Sequence, residues 1–239
     1  MNTLLNSIVE THGGLARWKS YQTVEATIVS GGGFFALKGM PRDATPRRVC
    51  ARLHQQRLTI GAFGASDQRA VFTPDEVRIE KLDGAPIARR RAPKESFAGH
   101  QMNTSWDPLH LAYFSGEALW TYLTTPFILT LDGVETEEVD PWTEAHETWR
   151  CLRAYFPASI ETHSQVQEFY FGEDLKLRRH DYRVNIAGGF AAAQLTGDYV
   201  EAEGIRLPTR RRAHTRGSDG SPVREMLMVY IDVSDVRFK

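Results

Sequence analysis

The stretch Glu161 to Val184, ETHSQVQEFYFGEDLKLRRHDYRV, decides the fold. Two β-type runs flank the turn-forming Gly172-Glu173-Asp174, the pattern of an antiparallel hairpin. A three-residue turn pairs Phe171 with Leu175, Phe169 with Leu177, Gln167 with Arg179, Gln165 with Asp181 and His163 with Arg183. On the other face Glu168 then meets Arg178, a cross-strand ion pair suited to solvent. The Phe-Leu face is therefore the inner one, and it carries His163, Gln165, Gln167, Arg179 and Asp181 inward. Buried polar groups are costly unless partnered, so this row is either a structural network or a binding site. A turn one residue shorter or longer reverses the faces and brings His180 and Tyr182 beside Phe169 and Phe171.

The same period recurs on both sides of the hairpin. Val24, Ala26 and Ile28 alternate with Thr23, Glu25 and Thr27, and the run ends at a flexible Gly31-Gly32-Gly33 turn. Short β-type runs follow at Arg47 to Leu53, Arg57 to Ala62, Gln68 to Thr73, Val77 to Leu82 and Ile87 to Ala92, divided by clusters such as Thr73-Pro74-Asp75. Further runs are Ile128 to Val139, Thr148 to Phe156, Ala191 to Val200, Gly204 to Ala213 and Arg224 to Val233. The spacing of the runs between Arg47 and Ala92 is too short for crossover helices, which argues against a parallel α/β sheet.

Helices are few. Leu4, Leu5, Ile8 and Val9 share one face ahead of Gly13-Gly14, with Leu15 and Trp18 continuing the stripe. Pro93 to Gly99 reads as a short helix. Asp107 and Pro108 then supply an N-cap and a first-turn proline for LHLAYFSGEALWTYL, which Pro126 stops. This helix is apolar nearly all round, so it belongs under a sheet. No linker, repeat or change of composition divides the chain. The expected architecture is one domain over residues 1–239, mainly β (α+β), a large curved antiparallel sheet or half-open β-barrel with helices capping the concave side.

A formal net charge of -1 removes the bulk electrostatic ground for nucleic-acid binding. Arg89-Arg90-Arg91 and Arg210-Arg211-Arg212 read as solvated strand faces or loops. No apolar run is long enough for a transmembrane segment. The opening MNTLLNSIVETHGG lacks the basic start, apolar centre and cleavage site of a secretory leader, so the expected location is cytoplasmic. Cys50 and Cys151, far apart and outside any CxxC, read as free thiols.

The eight histidines form no HxH, HExxH or Cys/His spacing, so no metal site is expected. Phosphate-binding glycine motifs are absent, and no cofactor is expected. His163 and Asp181 are the candidate acid-base pair. Gln165, Gln167 and Arg179 are candidate ligand contacts. Trp106, Tyr113, Trp120 and Tyr122 either line an apolar cavity beneath the helix or form simple core. The leading expectation is a protein that binds a hydrophobic or amphipathic small molecule between sheet and helix. The alternative is a cofactor-independent isomerase, cyclase or hydrolase using His163 and Asp181 in the same cavity. A structural or interaction module is the third reading.

HGGLARWKSYQTVEATIVSGG, leading into a long antiparallel meander, resembles the start of LolA/LolB-like lipoprotein carriers. That resemblance implies a half-open β-barrel capped by helices around a hydrophobic ligand cavity. HGGLARW, WDPLHLAYFSGEALWTYLTTPF, FPASIETHSQVQEFYF, LRRHDY, PTRRR and YIDVSDVRF also look like a bacterial family of uncharacterised soluble proteins, over most of the chain.

Overall fold

The computed structural model describes residues 3–144 and 146–239. A first meander comprises β1 (Thr23–Gly31), β2 (Arg47–Arg52), β3 (Arg57–Gly61), β4 (Gln68–Phe72), β5 (Glu76–Lys81) and β6 (Pro86–Arg91). A second comprises β7 (Glu135–Glu144), β8 (Glu147–Tyr155), β9 (Val166–Phe171), β10 (Leu177–Val184), β11 (Phe190–Ala202), β12 (Ile205–Arg216) and β13 (Pro222–Phe238). Helices α1 (Thr3–Thr11) and α2 (Leu15–Ser20) precede β1, α3 (Gly33–Leu37) follows it, and α4 (Pro108–Thr124) lies between the meanders. Antiparallel pairing of β1 with β13 fuses both meanders into one 13-stranded sheet whose free edges are β6 and β7. With 47% strand and 21% helix in a curved, unclosed sheet around a helix, the protein is the mainly β half-barrel expected.

This strand order dictates the position of α4. The β6-to-β7 connection must pass from one free edge to the other, and α4 carries it across the concave face. Its 17 residues span about 25 Å at the α-helical rise. The helix packs on β3, β4 and β5, and its C-terminal end reaches β10 and β12 through Tyr122. Asp107 caps it reciprocally: its carboxylate accepts from His110 N at 2.9 Å while Asp107 N donates to His110 Nδ1 at 3.2 Å. Every residue from Leu111 to Thr124 is buried. Among the described residues no helix is long and apolar enough to cross a membrane.

Three local expectations change. Gly31-Gly32-Gly33 does not end in a flexible turn. Gly32, at φ 120°, lets α3 dock against β13, where a Cβ would strike the Met228 carbonyl. The strand expected from Ile128 begins at Glu135 instead. Phe127–Thr130 forms a 3-10 turn that buries Phe127, Ile128 and Leu129, with Phe127 stacked on Trp18 at 4.2 Å. A short apolar run cannot be told from a buried helical turn by periodicity.

The hairpin forms, but not in the register of a three-residue turn. Residues 172–176 connect Phe171 to Leu177, closed by Gly172 N donating to Lys176 O at 3.0 Å. A bulge then places Arg179 opposite Tyr170, His180 opposite Phe169 and Asp181 opposite Glu168. One extra residue reverses the alternation of everything beyond it. His180 and Tyr182 therefore enter the core with Phe169, while Arg179 and Asp181 turn to the outer face beside Tyr170. The expected Glu168–Arg178 pair is not made: Glu168 holds Arg153 at 2.7 Å and Arg178 holds Glu147 at 3.1 Å.

Candidate functional site

The inner face carries a chain of buried polar groups joining α4 to the sheet. Glu117 and Tyr122 come from α4, His163 from the segment entering β9, Tyr182 from β10, Gln194 from β11 and Arg211 from β12. His163 Nδ1 lies 3.0 Å from Glu117 Oε1, and its Nε2 lies 2.8 Å from the Tyr122 hydroxyl. The Tyr122 and Tyr182 hydroxyls are 2.9 Å apart. Gln194 Nε2 donates to Tyr182 at 3.3 Å, and Arg211 Nη1 donates to Gln194 Oε1 at 2.8 Å.

One proton arrangement gives every link one donor and one acceptor. Arg211 donates to Gln194, Gln194 to Tyr182, Tyr182 to Tyr122, Tyr122 to His163 and His163 to the Glu117 carboxylate. A guanidinium thus stands at one end and a carboxylate at the other. Arg211 is further held by donation to Tyr122 O at 3.0 Å and by the Tyr122 ring, 4.6 Å away. Burial pushes the Tyr122 phenol up to about 12 and Tyr182 well above its ordinary value, so both remain donors at neutral pH. Burial also holds His180 neutral, stacked on Phe169 at 4.2 Å with Nε2 bonded to Gln167 Oε1 at 2.6 Å.

The opening beside this chain is a cavity of about 20 Å³ bounded by Tyr122, Tyr182, Ser30 and Arg42. That is room for about one water. The chain therefore ties helix to sheet and leaves little open space beside it.

Asp181 stands on the other side of the sheet. Arg179 Nε and Nη2 both donate to its carboxylate at 2.6 Å, and Arg216 Nη1 donates at 2.8 Å. The Arg179 guanidinium lies 4.8 Å from the Trp142 ring and 5.1 Å from Tyr170, and it donates to Gly220 O. This cluster latches the β12–β13 tip to β7 and β10.

The sequence-derived candidates thus separate. His163 and Gln167 are buried in the inner network, Gln165 is exposed, and Arg179 and Asp181 lie outside. His163 and Asp181 share no cavity, because the bulge divides them between faces. Trp106, Tyr113 and Trp120 are core: Trp106 packs on Phe34 and Phe114, Tyr113 donates to Glu161 at 2.7 Å, and Trp120 Nε1 donates to Arg52 O at 2.7 Å. Tyr122 is the central link of the strut.

Sequence reasoning missed Glu117, Gln194, Arg211 and Arg42, whereas Tyr182 faces inward as the alternative register had it. Arg211 was expected on a solvated face with Arg210 and Arg212, yet strand alternation turns it alone inward, 2% exposed. Glu117, the one acid in an otherwise apolar helix, was a legible signal. Among the described residues no group of three or more His, Cys, Asp or Glu is placed to hold a metal ion.

A far roomier opening lies away from this chain, at the mouth of the half-barrel. A cavity of about 740 Å³ opens between β3–β6, the segment after α3 and the first turn of α4. Met40, Phe63, Ile79, Ile87, Leu109 and Leu111 supply its apolar wall. Both wall carboxylates are paired: Asp43 holds Arg47, also on the wall, at 2.6 Å, and Asp107 holds Arg90, off the wall on β6, at 2.5 Å.

Fold and site together define an open antiparallel half-barrel plugged by one helix, with an apolar mouth. No family model matches the sequence, and neither does any curated protein. Among solved structures, a DUF1329 family protein from Desulfovibrio piger is similar over 100% of this chain and 94% of its own, with a TM-score of 0.58 at 12% identity. A LolA superfamily protein from Nitrosomonas europaea matches 98% of this chain and 92% of its own, with a TM-score of 0.51 at 10% identity. An outer membrane lipoprotein-sorting protein domain from Vibrio parahaemolyticus matches 98% and 91%, with a TM-score of 0.56 at 8% identity. The resemblance to LolA-like proteins therefore holds at the level of fold. The cytoplasmic expectation does not stand: a fold shared with an outer membrane lipoprotein-sorting protein points away from that compartment.

Proposed function

We propose that the chain, acting as one half-barrel domain, binds a hydrophobic or amphipathic small molecule in the mouth cavity. The observation that carries this reading is the cavity itself: about 740 Å³, walled mainly by apolar side chains where sheet and helix diverge. Ligand pockets commonly have volumes of roughly 300–1,000 Å³ and such walls. The description of the Vibrio structure as lipoprotein-sorting supports the same class of ligand.

Nile red, a neutral apolar dye, tests the reading by its fluorescence gain on binding. The wild-type chain is expected to bind it, and Ala88→Trp or Leu109→Trp, both on the cavity wall, to block it without lowering the melting temperature. A wild-type chain that leaves the dye in water, or a blocked variant that binds it as before, overturns the assignment.

A further inference from the structure

We propose that the molecule held in the mouth is an anionic amphiphile whose carboxylate or phosphate seats on Arg42. This rests on the binding reading above and adds the headgroup. Arg42 belongs to the walls of both the mouth cavity and the small cavity behind it. The neighbouring Arg47 spends its donors on Asp43 at 2.6 Å, Thr45 O at 2.9 Å and Ala62 O at 3.2 Å. Arg42 has no such set. Among the described residues it makes no ion pair, its Nη2 reaches Ser30 Oγ at 3.4 Å, and its Nε is buried with no hydrogen-bond partner.

A guanidinium carries five N–H donors, so most of its capacity is unused by the protein. Its carbon lies 5.6 Å from the Phe35 ring and 5.9 Å from the Phe63 ring. Burial among these groups pulls its pKa down to about 10, which leaves it charged at neutral pH but poorly solvated. A desolvated cation without a counter-charge is costly, and a bidentate anion relieves that cost with strong charge-assisted hydrogen bonds. Asp43 acts on Arg42 only at a distance, because its contact is with Arg47, and Asp107 holds Arg90. Phe63, Ile79 and Leu111 supply the wall for the alkyl chain.

Titration calorimetry on the full chain tests this with dodecanoate, dodecyl phosphate, methyl dodecanoate and inorganic phosphate. Both charged amphiphiles are expected to bind wild type about tenfold or more tighter than the methyl ester, the scale of one charge-assisted pair. Arg42→Gln is expected to erase that difference while still binding the ester, which also shows that the variant is folded. Arg42→Lys, a point charge without the fork, is expected to fall between them. Equal wild-type affinity for acid and ester overturns the headgroup assignment and leaves the cavity reading standing. Failure of all three alkyl compounds overturns both. Inorganic phosphate binding as tightly as dodecyl phosphate overturns the amphiphile and marks a free-anion site.

Discussion

Removing one oxygen atom, by Tyr122→Phe, tests whether the polar chain is the strut that fixes α4 in the sheet. The hydroxyl sits 2.8 Å from His163 Nε2 and 2.9 Å from the Tyr182 hydroxyl. Without it both groups remain buried and lose a partner. A buried polar group left unsatisfied costs about 1–3 kcal/mol, so two cost about 2–6 kcal/mol. For a chain of this length that lowers the melting temperature by roughly 4–24 °C. Urea unfolding followed by tryptophan fluorescence reads the effect as a lower midpoint at unchanged slope. Tyr155→Phe is the control, since its exposed hydroxyl bonds the exposed Glu137, and it is expected to cost less than about 0.5 kcal/mol. A cycle with Tyr182→Phe adds a second reading. The double variant is expected to cost about 1 kcal/mol less than the sum of the two, because their shared hydrogen bond is otherwise counted twice. Stability of Tyr122→Phe within about 0.5 kcal/mol of wild type would falsify the strut.

Gly116→Ala is expected to destabilise by about 1–3 kcal/mol despite a helix-propensity gain near 1 kcal/mol, because the new Cβ collides with Phe72 Cβ and Cγ on β4. Chemical unfolding decides the sign, and a more stable variant refutes the close approach of α4 to the sheet. His12, whose Nδ1 bonds Ile8 O at 2.8 Å, has its pKa lowered by burial to about 4, below its unfolded value near 6.5. The neutral form is favoured by folding, so this contribution is present above pH 6.5 and is lost as pH falls toward 4, about 3 kcal/mol in all. His180, lowered by burial too, adds loss of the same sign. His12→Gln is expected to flatten a stability-against-pH curve over this window, and an unchanged curve refutes the assignment.

Alternation was legible wherever a strand ran without interruption. The five runs of the first meander fall within a residue or two of β2–β6, and Asp107, Pro108 and Pro126 mark the ends of α4. The hairpin shows where such reading stops. Glycine and acidic residues announce a turn, but loop length and the bulge after Leu177 depend on how β10 packs between β9 and β11. One residue of slip then moved Arg179 and Asp181 out of the site and Tyr182 into it. Arg211 was misread for the complementary reason. A triplet of arginines looks solvated as a composition, whereas as a strand its middle member must face the other way. The mouth cavity was not legible at all, because its wall comes from β3–β6, the segment after α3 and the start of α4, brought together by topology alone.

That topology also explains the arginines of β6. A half-barrel that keeps its mouth open must leave an edge strand unpaired, and an unpaired edge invites pairing with another chain. Ile87 and Ala88 on β6 belong to the cavity wall, so this free edge borders the mouth. Arg89 and Arg91 are exposed on the same strand, and Arg90 reaches over to Asp107 at 2.5 Å, pinning the edge to the cap of α4. Charge on an edge strand opposes a partner strand without filling the space behind it. The triplet, read from sequence as a solvated strand face, thus does two things the open architecture requires. It discourages edge-to-edge pairing, and through Arg90 it ties the one loose side of the cavity to the helix that plugs the sheet.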